Sequence, residues 1–168
     1  MTRSLRDYYI AANFRLLNLS ITLCLFSAAS ACSNEKNEFE ERITSKSVAE
    51  IMVDAEFAIT ERNFRINNRL HIGKAISLRT ESGFPDFEVI LFCNLNYAKK
   101  MLELAPDFIS YCPQRLAIRD VGQQRIITAS LIPQNTSNQI LNAVTGEINK
   151  LVTEIVDFAA DDWQALEE

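Results

Sequence analysis

Cys93 and Cys112 are the pair whose residue type and placement best suit chemistry. They stand 19 positions apart, without the C-x-x-C spacing of a redox motif. In an exported protein that separation fits a disulfide. Closing the loop would contribute about 3 kcal/mol by restricting the unfolded chain. Two inert thiols are the alternative, because unpaired cysteine is among the most buried of side chains. His71 is the sole histidine, so any Ser-His-Asp or Cys-His centre has to use it. If the strands carrying these residues are neighbours, His71, Cys93 and Cys112 would meet at one end of a sheet. There they would form a metal or haem-like ligand set, or a redox centre. Asp86 and Glu88 lie two apart on an extended stretch and so share a face, which makes them a candidate acid and base; a solvated edge is the plainer reading. No G-x-S-x-G, G-x-G-x-x-G or Walker loop occurs, and the sequence implies no cofactor.

A further chemical residue is Cys32. It closes a segment with a basic start (Arg3, Arg6, Arg15), an uncharged apolar run from Leu16 to Phe26, and the small residues Ser27, Ala28, Ala29, Ser30 and Ala31. That tripartite pattern is a secretory signal peptide over residues 1–31. Small residues running directly into a cysteine resemble the bacterial lipoprotein signal, in which the cysteine is lipidated and becomes the new N-terminus. Ala29 stands where that signal usually has leucine. Ser33 rather than aspartate follows the cysteine, which by the same resemblance goes with outer-membrane sorting in enteric bacteria. Ordinary cleavage near Cys32 and an uncleaved anchor remain the alternatives; Asn18, Ser20 and Thr22 weaken the run as a spanning helix. Removing this segment takes away three arginines and one aspartate, shifting the formal net charge from −5 to −7. An acidic chain without a basic stripe is ill suited to phosphate backbones, so no nucleic-acid partner is expected. Residues 32–45, rich in charge, read as a polar tether between a lipid and a folded domain.

The elements that would position the cysteines follow in order. Ser47 and Glu50 form a capping box, and Val48, Ile51, Met52, Ala55, Ala58 and Ile59 keep three-and-four spacing, which predicts a helix over 47–62 with Met52 as core filler. Phe64, Ile66, Asn68, Leu70 and Ile72 alternate with polar residues, a strand with one buried face. A short helix follows Gly73 and ends near Gly83. Residues 88–93 (EVILFC) are nearly continuously apolar, as in a central strand. Asn94 is the expected cap of a helix carrying Tyr97, Met101, Leu102 and Leu104. Residues 115–120 and 125–132 form two more strands around a hairpin turn at Gly122, and Pro133 ends the second. A long helix over 137–160 carries Ile140, Leu141, Val144, Ile148, Leu151, Val152, Ile155 and Val156. With no second long apolar helix in view, this stripe is expected to pack on the sheet. The result is a two-layer α+β domain over 46–160, with a mostly antiparallel four-stranded sheet and helices on one side. A frayed acidic tail follows over 161–168.

The strand EVILFCN, the helix YAKKMLELAPD, the strand CPQRLAI with Pro113, the Gly122 turn and the strand ending at Pro133 resemble the domain of unknown function 302 family. Its pattern has a proline after the asparagine that caps the helix; here Leu95 stands in that place. The resemblance implies a small two-layer α+β fold and brings no catalytic set. The expectation is an envelope protein in the periplasm, anchored to the outer membrane through a lipid on Cys32, and secreted or membrane-anchored if that residue is not processed. Its domain would bind a small ligand or a protein partner. The other reading is a redox or metal-dependent enzyme built on Cys93, Cys112 and His71. A weaker third is a homodimer formed through an exposed sheet edge.

Overall fold

A computed structural model describes residues 38–161. The signal segment, Cys32, the first part of the tether and the acidic tail beyond Asp161 lie outside the described residues. The elements are β1 (Phe39–Thr44), α1 (Val48–Glu61), β2 (Arg65–His71), α2 (Ile72–Thr80), β3 (Phe87–Cys93), α3 (Leu95–Leu104), a 3₁₀ segment (Pro106–Tyr111), β4 (Gln114–Val121), β5 (Gln124–Ser130) and α4 (Gln139–Ala160). The sheet has five strands in the order β1-β5-β4-β3-β2, every neighbouring pair antiparallel. Helices pack on one side of it, so the architecture is two-layer α+β.

Local chemistry sets the helix boundaries. Ser47 and Glu50 make both bonds of the capping box, Glu50 N–H to Ser47 Oγ at 3.3 Å and Ser47 N–H to Glu50 Oε2 at 2.8 Å. The bonds from Ser47 hold the Glu50 carboxyl below its ordinary range. α1 ends where Asn63 turns left-handed at φ +60°. Phe64 N–H then bonds Ile59 O and Asn63 N–H bonds Thr60 O, both at 3.0 Å, which is a Schellman closure. Asn138 caps α4 by accepting from the amides of Ile140 (3.0 Å) and Leu141 (3.1 Å).

The core lies between the sheet and the α1–α4 pair. Ile90 and Phe92 of β3, Leu116 and Ile118 of β4, and Ile127 and Ala129 of β5 face it. Ile51, Ala55, Ala58 and Ile59 close it from α1, and Leu141, Ile148, Val152, Ile155, Val156 and Ala159 from α4. Met52 is half-buried against this cluster. α4 packs on α1 as well as on the sheet; the small Ala55 and Ala58 give it a smooth apolar surface to meet.

Three readings are corrected. The sheet has five strands rather than four, because Phe39–Thr44, assigned above to the tether, forms edge strand β1. Its pattern is inverted for a hydrophobicity argument. The helix-side residues Glu40, Arg42 and Thr44 are polar, and Arg42 pairs with Asp157 of α4 at 2.8 Å. The apolar Phe39 and Ile43 point to the uncovered side and stay exposed. Second, β2 does not keep one face. Ile66 pairs with Phe92 but Asn68 pairs with Leu91, so a bulge at Asn67 flips the phase and puts Leu70 beside Val89 on the uncovered side. Third, α4 has a helix partner in α1.

Candidate functional site

Cys93 ends β3 and Cys112 follows the 3₁₀ segment, and a disulfide joins them with their Cα atoms 6.2 Å apart. The surrounding polar groups fix the same corner. Asn94 caps α3 by accepting from Asn96 N–H at 3.0 Å and Tyr97 N–H at 3.3 Å, and its amide donates to Asn63 O at 3.0 Å. One side chain therefore satisfies orphan amides of α3 and ties that helix to the end of α1. The Cys112–Pro113 peptide is cis. The turn around it is closed by the buried Gln114, whose Nε2 donates to Tyr111 O at 2.9 Å. Behind the disulfide lies a void of about 20 Å³, lined in part by Phe64, Tyr97, Met101 and Ile148. It has room for about one water and none for an organic ligand. Burial, and next to it the Glu147 carboxylate, raises the Tyr97 phenol above its ordinary value, so it stays neutral at physiological pH.

In front of this corner the sheet end opens into a cavity of about 310 Å³. That is the low end of the range for small-molecule sites. Tyr111, Pro113 and Gln114 form one wall; Phe39, Ser130, Leu131 and Pro133 form the other; Leu91 and Arg115 lie between them, and Glu38 sits at the far rim. The walls are held rigidly. On one side the disulfide and the Gln114 bond fix the turn. On the other, Asn149 of α4 grips Ile132 reciprocally, its Nδ2 donating to Ile132 O and its Oδ1 accepting from Ile132 N–H, both at 2.8 Å. Leu131 N–H bonds Glu38 O at 2.8 Å, which brings the start of β1 to the rim.

Strand register explains the polar content. On the uncovered side Phe39 pairs with Ser130, and Arg115 pairs with Leu91. Two rows further along that face, Arg119 of β4 reaches back to Glu41 of β1 at 2.6 Å and Thr128 at 3.3 Å. The two arginines share a face, yet only Arg119 is neutralised. Arg115 is exposed and has no carboxylate partner among the described residues.

The residues singled out from sequence are not gathered here. Cys93 and Cys112 line the small void rather than the cavity, whose wall begins at Tyr111 and Pro113 on either side of Cys112; His71 does not approach them. Although β2, β3 and β4 are neighbours, β2 runs antiparallel to β3, so its last residue meets the first part of β3: His71 pairs with Glu88, and Cys93 with Arg65. Five residues of strand, roughly 17 Å at about 3.3 Å each, separate the two ends. The proposed His71, Cys93 and Cys112 centre is therefore not assembled, and among the described residues no group of three or more His, Cys, Asp or Glu side chains is placed to hold a metal ion. Nor do Asp86 and Glu88 act as a pair. Asp86 precedes the strand, and its carbonyl accepts from Asp120 N–H at 3.0 Å. Glu88 is buried and bonded to His71 Nδ1 at 2.6 Å. Conversely, Arg115, Ser130 and Phe39 gave no signal in the sequence. They converge only through cross-strand register.

No curated protein matches the chain. A crystal structure of an uncharacterized conserved protein DUF302 from Bacillus stearothermophilus is similar, with a TM-score of 0.65 at 13% identity, covering 74% of this chain and 99% of that one. At that identity the likeness concerns the fold alone. The family described as Domain of unknown function DUF302 matches residues 40–159, which include all of the sheet but Phe39 and all four helices but Ala160; this chain belongs to that family.

Proposed function

We propose that the protein is an exported, lipid-anchored envelope protein whose DUF302 domain is a binding module for a small molecule. The observation that carries the binding part is the walled cavity of about 310 Å³ at the disulfide end of the sheet. Its walls are set by covalent and buried hydrogen-bonded groups, so a ligand would meet a largely pre-formed site and lose little to ordering it. Export is supported by the tripartite pattern over residues 1–31 and by the Cys93–Cys112 bond, since disulfides persist in oxidising compartments. Anchoring rests on the small residues that lead into Cys32.

Two measurements test the parts separately. In fractionated cells the wild-type chain is expected with membranes and Cys32→Ala in the soluble periplasmic fraction; a variant still held at the membrane defeats lipidation as the anchor. For binding, the neutral fluorophore N-phenyl-1-naphthylamine is titrated into soluble Cys32→Ala protein with its disulfide intact. Binding is expected, and Ser130→Trp, which fills the cavity from its wall, is expected to abolish it. A probe that ignores that substitution is bound elsewhere and overturns the assignment of the site.

A further inference from the structure

We infer that the cavity selects a small organic monoanion, one carboxylate or sulfonate group on a flat apolar body, with Arg115 as its counter-charge. This rests on the binding-module reading and adds the chemical class of the ligand.

Arg115 and Arg119 stand four residues apart on β4 and face the same uncovered side of the sheet. Arg119 is occupied by Glu41, and that carboxylate also accepts from Thr128 Oγ1 at 3.1 Å. Arg115 has no acid partner among the described residues, and it lies between the cavity walls. A guanidinium presents a planar fork of donors that suits a carboxylate-type oxyanion bidentately. A hydroxyl stands beside it. Leu116 pairs with Ala129, so continuing that register by one residue brings Ser130 opposite Arg115. Ser130 can donate to the same oxyanion. The apolar part of the remaining lining is the Phe39 ring, Leu91, Leu131 and the rings of Pro113 and Pro133, beside the neutral polar side chains of Ser110, Tyr111 and Gln114. These surfaces suit a flat body and supply no second cation for another negative charge. Glu38 at the far rim, together with the chain's net charge of −5, acts against a second negative charge on the ligand.

The test uses soluble Cys32→Ala protein with the disulfide intact, and two naphthalene fluorophores of similar shape. These are 8-anilinonaphthalene-1-sulfonate, which carries one negative charge, and the neutral N-phenyl-1-naphthylamine. Arg115→Ala is expected to weaken the sulfonate about ten-fold or more, the loss of one charge-assisted contact, and to leave the neutral probe within about two-fold. Arg115→Lys should restore part of the loss. Naphthalene-1-sulfonate should displace the anionic probe better than naphthalene-1,5-disulfonate does. If Arg115→Ala changes both probes alike, or neither, while Ser130→Trp still abolishes binding, the monoanion assignment is overturned and the binding module stands. If neither probe binds, or Ser130→Trp has no effect on either, both readings fail together. Unchanged circular dichroism of the variants separates a lost contact from a lost fold.

Discussion

At the Cys93 end of β3 the chain is held by a covalent bond and by amide groups that carry no charge. At the Glu88 end, five residues earlier, the contacts around it run through ionisable side chains. The first end has the disulfide, the Asn94 cap with its bond to Asn63, and the Gln114 closure. The second has His71 on Glu88 and, one turn of the pleat back along β2, a bidentate contact of Arg69 with Glu56 of α1. It is followed by α2 and a loop over 81–86 that is exposed throughout. One strand thus joins a corner that acid and salt leave alone to a corner that both can loosen. The cavity sits at the first kind of corner, where its walls keep their shape.

The largest expected effect comes from cutting the covalent tie. Replacing both Cys93 and Cys112 by alanine should lower the unfolding free energy by about 3 kcal/mol, from the loop constraint alone, read as a lower urea midpoint. Reductant added to the wild-type protein should reproduce most of that shift and should loosen the cavity wall at Tyr111 and Pro113. Equal midpoints for oxidised wild type and the double variant would mean that the neutral hydrogen bonds hold this end by themselves.

A smaller effect should follow from Asn94→Ala. That amide donates once and its oxygen accepts twice, and the residue is buried. Losing an N-cap costs about 1 kcal/mol, and leaving Asn63 O without its buried donor adds a similar amount, so about 2 kcal/mol is expected. Hydrogen exchange would sharpen the comparison. The amides of Asn96 and Tyr97 should lose protection, while those of β3 near Glu88 should not. Uniform loss along β3 would show that the two ends unfold as one unit.

Much of this framework is legible in the sequence, for identifiable reasons. The apolar run of β3 and the stripe of α4 are repeated signals, and the Ser47–Glu50 box and the Asn94 cap are local chemistry that needs no tertiary knowledge. β1 is not legible, because an edge strand that meets α4 through Arg42 and Asp157 presents charges where a core strand presents leucine or valine. His71 was misplaced for a different reason. The strands are neighbours, as expected, but their direction decides which ends meet, and alternation along a strand carries no direction. The cavity is hidden for the same kind of reason. Arg115 and Arg119 look alike in sequence, and only the pairing of β1 with β5 gives one of them Glu41.

The smallest effect is a matter of pH. Hydrogen bonding to the Arg69 guanidinium, offset in part by burial, holds the Glu56 carboxyl below the usual carboxylate range. The same contact raises Arg69. A carboxyl whose value is depressed on folding adds stability above its unfolded value, and that increment is lost as the pH falls through the folded one. The pair is partly exposed, so solvent screening keeps its worth below about 1 kcal/mol. Between neutral pH and the acid side of the carboxylate range, wild-type protein should lose this increment, and its loss should be deeper in low salt than in high. Glu56→Gln should start lower at neutral pH and show a shallower fall. Exchange of the β2 amides near Arg69 should quicken with acidification relative to the amides beside Cys93, after correction for the intrinsic pH dependence of exchange. If the Cys93 end lost relative protection at the same pH, the division of β3 into a neutral end and an ionic end would be wrong. The distinction would then lie in packing alone, since acid acts only where a charge is being used.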